Sequence, residues 1–175
     1  LIYCSHTLEH LELEASLRFL KECYRILKKG GVMRVALPNT KNDFYLLRTL
    51  KSQNTYNEDL LERFERYATK HLLSDTSELR KDQLIELLNS TNCESDKFFH
   101  KVSKNHNSYT KFNEVDPGRH INYLDFEVLK KLTYDIGFKF ILPSYQGNSI
   151  SPPFLNINVF DNTEPQHSFY ADIVK

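Results

Sequence analysis

The sequence predicts an α/β fold, and three observations carry the prediction. They are an apolar tetrapeptide, Leu1 to Cys4, an amphipathic stretch from Glu12 to Lys29, and a second apolar run, Val32 to Leu37, behind a Gly30-Gly31 step. Strand, helix, glycine turn and strand within about forty residues make a βαβ unit, whose crossover is right-handed and whose strands are parallel.

Leu1 to Cys4 is too short for a helix and is bounded by Ser5 and His6, so it reads as a strand buried on both faces. In the helix, Leu13, Leu17, Leu20, Tyr24 and Leu27 recur at steps of three and four, and Phe19, Cys23 and Ile26 form a narrower second stripe. Lys28 and Lys29 suit the negative end of the helix dipole, and Gly30-Gly31 supplies the left-handed residue that stops the helix. Pro38-Asn39 closes the second strand.

From Thr40 to about Val115 the residues turn polar and charged with helical periodicity. Phe44, Leu47 and Leu50 mark one short helix, Leu60, Leu61, Phe64, Tyr67 and Ala68 a second, and Leu79, Leu84, Leu87 and Leu88 a third. Thr91 to Gly118 lacks a period and reads as loop. Residues 40–118 are thus expected to be a helical insertion. After Asp116-Pro117-Gly118, Asp125 caps a helix carrying Val128, Leu129, Leu132 and Ile136, which Gly137 ends. Phe138 to Leu142 and Ser168 to Val174 read as the last two strands, joined by a Ser/Pro/Asn-rich loop.

Composition narrows the function. The 175 residues hold 23 basic and 23 acidic side chains and are 40% hydrophobic, with a pI near 7.2. A balanced charge gives no field to draw the chain onto nucleic acid or an anionic membrane. No apolar run approaches the roughly 20 residues of a membrane span, and no signal-peptide pattern opens the chain, so a cytoplasmic location is expected. Cys4, Cys23 and Cys93 are odd in number and widely spaced, which suits reduced structural thiols rather than a disulfide framework.

The run LIYCSHTLEHLELEASLRFLKECYRILKKGGVMRVALPN, residues 1–39, resembles the second half of a class I S-adenosylmethionine-dependent methyltransferase domain, of the kind grouped as type 11 methyltransferases. The resemblance rests on the Leu8-Glu9-His10 turn after a strand, a helix with Glu22, Arg25 and Leu27, the Lys-Gly-Gly turn and a strand ending at Pro38. It continues more faintly through Gly118 to Phe138 and in Ser168 to Lys175. It implies a partial Rossmann-like, mostly parallel sheet whose fourth and fifth strands are Leu1 to Cys4 and Val32 to Leu37. The other two segments are then the last two strands, the final one antiparallel, with residues 40–118 a lid. It also implies S-adenosylmethionine as cofactor, with Cys4, Ser5 and His6 beside its methionine end. The family's glycine-rich turn after a first strand has no counterpart in these residues, because Gly30-Gly31 follows a helix. The chain, starting at Leu1 without Met, therefore reads as one incomplete domain, 1–175, expected to bind the cofactor poorly by itself.

In an open parallel sheet ligands sit beyond the carboxyl ends of the strands, which places Ser5, His6 and Asn39 at the crevice. His6 is a candidate catalytic and cofactor contact, or else caps the following turn with Ser5. His120, re-entering after the lid, is the best candidate for a substrate contact or general base, or else ties the lid to the sheet. Asn39 is a substrate-binding candidate, or a turn former after Pro38. His10, four residues beyond His6 and so placed on the same helical face, is read as structural.

Methyl transfer to a small-molecule or glycan-intermediate acceptor is the expected activity. Two rivals stand beside it. One is a noncatalytic methyltransferase-like subunit that pairs with a partner chain along the exposed sheet edge. The other is a zinc hydrolase, because His6-Thr7-Leu8-Glu9-His10 matches H-x-x-E-H. That chemistry wants the motif inside a long helix, so no metal site is assigned.

Overall fold

The computed structural model describes residues 1–39, 41, 42, 45, 46, 49, 52, 53, 111, 112, 114, 115, 117, 118 and 120–175. They form β1 (Ile2–Ser5), a 3-10 turn (Leu8–His10), α1 (Leu13–Ile26), β2 (Val32–Pro38), α2 (Phe126–Ile136), β3 (Phe140–Ser144), two further 3-10 turns (Pro152–Leu155 and Pro165–His167) and β4 (Ser168–Val174). The strands make one sheet in the order β1-β2-β4-β3. β1 and β2 are parallel, and β4 runs antiparallel to both of its neighbours, so β1, β2 and β3 point one way and only the final strand opposes them. The predicted mostly parallel arrangement with an antiparallel last strand is what the described strands adopt.

Side-chain alternation along β2 sorts the molecule into layers. Met33, Val35 and Leu37 face one way and pack with Leu20 and Cys23 of α1, Leu129 of α2, and Ala171 and Ile173 of β4. Arg34 faces the other way, where the segment between β3 and β4 folds back across the sheet. There Tyr3 meets the rings of Phe154 and Phe160, and its hydroxyl accepts a hydrogen bond from the Asp161 amide at 2.7 Å. β2 is therefore buried on both faces. β1 is not, contrary to expectation: only Cys4 is buried, because among the described residues β1 pairs on one side only.

The helix boundaries differ instructively. α1 stops at Ile26, and Leu27 is already extended. Gly30, with φ of 75°, serves the turn into β2 instead of ending the helix. Its amide donates to the Lys175 carbonyl, while the Lys175 amide donates to the Gly31 carbonyl, so the glycine pair is held by the end of the chain. The buried residues of α1 are Ser16, Leu20 and Cys23, and Ile26 is exposed. α2 follows the sequence closely: the Asp125 side chain accepts from the Val128 amide, and Gly137 adopts φ of 115°. β3 begins two residues later than predicted, because the Phe138 amide is spent on the Thr133 carbonyl of the helix cap and its ring packs on Tyr24.

Of the insertion, positions 41, 42, 45, 46, 49 and 52 are helical. The second and third predicted helices, Cys93, most of the Thr91 to Gly118 loop and hence the lid itself lie outside the described residues. At the insertion's far end, Glu12 at the start of α1 accepts from the Phe112 amide and from Lys111. The Phe112 bond first, and then Lys111, hold its carboxylate below the usual range. Among the described residues no helix is long and apolar enough to cross a membrane.

Candidate functional site

β1 ends at Ser5, and the ladder carries one bond further, from the His6 amide to the Ala36 carbonyl. His6 then takes φ of 45°, a left-handed conformation unusual for a residue with a side chain, and the chain winds into the Leu8–His10 turn. That reversal aims the His6 ring back at the sheet. Its Nε2 lies 2.7 Å from the Ser168 hydroxyl at the start of β4, and its Nδ1 lies 3.1 Å from Glu9 Oε1. The first is a hydrogen bond, and the second a close approach of an imidazole nitrogen to a carboxylate. His6 and His10 do not share a helical face, because the H-x-x-E-H segment is a left-handed residue followed by a single 3-10 turn.

Glu9 is the residue that sequence reasoning undervalued. It is 2% exposed, and neither carboxylate oxygen makes a hydrogen bond among the described residues. Its backbone carbonyl receives two, from the amides of Ile121 at 2.7 Å and Asn122 at 3.0 Å. The Asn122 side chain adds bonds to the Leu8 carbonyl and the Ser16 hydroxyl. These contacts lay the segment after the insertion along the 3-10 turn and bring the His120 ring against His10, centroids 4.6 Å apart and nearly perpendicular. A cavity beside them is lined by Glu9, Leu37, Pro38, His120, Asn122, Tyr123 and Leu124, at the carboxyl end of β2. Burial pushes the Tyr123 hydroxyl pKa upward, and Asp125 adds to it.

The predicted site residues therefore part company. His6 and His120 converge on Glu9, whereas Asn39 is spent locally: its side-chain oxygen accepts from the Asn42 amide, and its own amide donates to the His167 carbonyl. Cys4 points into the core, where burial raises its thiol pKa to about 12, with a bond from Thr7 opposing. Its side chain is a packing group. The Ser5 hydroxyl oxygen is buried with no hydrogen-bond partner among the described residues. Arg34, too, carries no local signal of its role. It is fully buried, with its guanidinium bonded to Asp161 at 2.9 Å and Asp172 at 2.8 Å and its ring-facing side over Tyr170. Burial works against its charge, but the hydrogen bonds and negative charges of the two carboxylates prevail and raise its pKa.

Polar side chains thus gather at the carboxyl end of a parallel strand pair, the end at which open α/β sheets bind ligands. A family model described as a methyltransferase domain matches residues 1–35, from β1 into β2. Over this opening segment the chain is similar to a methyltransferase domain. No curated protein and no solved structure matches the chain.

Proposed function

We propose that the chain works in methyl transfer from S-adenosylmethionine to a small-molecule or glycan-intermediate acceptor, in the cytoplasm, with β1, β2, β3 and β4 as the fourth to seventh strands of the methyltransferase sheet. The match over residues 1–35 carries this reading, and the antiparallel final strand supports it. The residues present suit the cofactor in part: Ser5 offers a buried hydroxyl oxygen at the carboxyl end of β1, while Cys4 and His6 have only backbone groups to give. Bound there, the cofactor supplies an electrophilic methyl group on a sulfonium. The protein's work is then alignment, exclusion of water and, for a hydroxyl acceptor, acceptance of a proton. His120, lining the cavity with Leu37 and Pro38, is the acceptor contact and proton acceptor in this reading.

The 175 residues hold no glycine-rich turn following a strand, so this polypeptide binds the cofactor with a Kd of about 1 mM or weaker. Titration of isotopically labelled protein with S-adenosylmethionine, followed by amide NMR, tests it. The expected shifts map to Cys4, Ser5 and His6. Shifts confined to other elements sink the reading, and micromolar binding in calorimetry sinks the weak-affinity expectation.

A second reading, a noncatalytic subunit, is favoured by the edge of β1 that no described strand covers. Pairing of two copies along that edge makes the sedimentation coefficient rise with concentration. A constant monomer value across a wide concentration range removes self-pairing along that edge.

A further inference from the structure

We propose that Glu9, His10 and His120 form a binding site for a divalent cation of the zinc type. One ligand atom from each, a carboxylate oxygen and two imidazole nitrogens, lie within 4.8 Å of one another. Two imidazoles and a carboxylate are a donor set that zinc and its neighbours in the first transition row accept, whereas calcium and magnesium want oxygen alone. Around a tetrahedral zinc ion, ligand atoms about 2.0–2.1 Å from the metal sit ~3.3 Å apart. The set is therefore at most about 1.5 Å wider than a bound zinc requires.

The second observation is Glu9 itself. It is 2% exposed, and among the described residues neither oxygen has a hydrogen bond and only imidazole nitrogens stand near its Oε1, so it carries a desolvation cost that a cation relieves. His6 Nδ1 at 3.1 Å and His10 Nε2 at 3.9 Å are the nitrogens near its Oε1. His6 stands outside the three-ligand set: bonded to Ser168 through Nε2, it holds Nδ1 3.1 Å from Glu9 Oε1, the place of a second-layer partner. The paired amide bonds from Ile121 and Asn122 to the Glu9 carbonyl fix the spacing of the other two ligands. Three protein ligands leave a fourth position for water or a hydroxyl oxygen, and two of the three, Glu9 and His120, line the neighbouring cavity. The site does not require the methyl-transfer reading. Should both hold, the ion and not the His120 imidazole meets the acceptor oxygen.

Chelator-treated protein titrated with Zn2+ against a chromophoric competitor tests the site, with circular dichroism confirming that each variant is folded. One equivalent is expected to bind. H10Q and H120Q should each weaken binding by about tenfold to a hundredfold or more, and H106Q should not change it. Co2+ substitution supplies a separate readout: visible bands of a tetrahedral nitrogen and oxygen set, without thiolate charge transfer. Absence of stoichiometric binding, affinity unaltered in both H10Q and H120Q, or a thiolate band overturns the proposal. If a variant fails to fold, the Co2+ spectrum of the unaltered chain decides.

Discussion

Arg34→Leu is expected to cost about 3–5 kcal/mol of folding stability, the range for removing one partner of a buried ion pair. The reason is what stays behind. Asp161 and Asp172 are both buried to within 1% of full exclusion, and loss of the guanidinium strands two carboxylates in the same low-dielectric layer. The Tyr145 carbonyl also loses its donor, and Tyr170 its cation. A domain of this size has about 5–15 kcal/mol in all, so the variant should unfold at much lower urea. Arg34→Lys keeps the charge but not the planar fork that reaches two carboxylates and a carbonyl together, and it should recover only part of the loss. Replacing all three residues by apolar ones should recover more than Arg34→Leu alone. Recovery stays incomplete, since the Ile150 and Gly147 amides then lose their Asp172 and Asp161 acceptors. Urea midpoints at constant slope measure all three, and a loss below about 1 kcal/mol for Arg34→Leu shows the network to be dispensable.

This network also marks where the sequence stops being readable. The βαβ unit, the Asp125 cap and the Gly137 stop were legible because their signals are local: periodicity, a capping side chain, a glycine with positive φ. Arg34 reads as one polar residue in an apolar strand. Its meaning depends on Asp161, in an irregular segment, and on Asp172, which faces it across the β2 to β4 register. The end of α1 was misplaced for a similar reason, because Lys175 holds Gly30 and Gly31 to the sheet and no local pattern records that pairing. At the candidate site, His6 and His120 were singled out from their positions after a strand and after the insertion. The part played by Glu9 was not, since an acidic residue in a short turn is ordinarily solvated and only the return of Ile121 and Asn122 buries it.

Leu8→Ala should cost about 2–5 kcal/mol, as large apolar truncations in cores do, and should disturb the site as well as the core. Leu8 is fully buried in the core cluster that also holds Cys4, Leu20 and Leu124, directly before Glu9 and His10. It is the hydrophobic anchor of a one-turn element with little hydrogen bonding of its own. Without its side chain, the turn that presents Glu9 and His10 can sink toward the cavity left behind, carrying with it the carbonyls that hold Ile121 and Asn122. Leu8→Met, close in volume, should cost less than about 1.5 kcal/mol. Asn122→Ala acts on the same contact from the other side, so the double variant should lose less than the sum of the two single losses. Urea denaturation gives the energies, and the His10 and His120 ring resonances report the site. If those resonances stay in place in Leu8→Ala while stability falls, the turn is held by its backbone bonds to residues 121 and 122 rather than by its burial. If stability itself is unchanged, Leu8 does not anchor the turn at all.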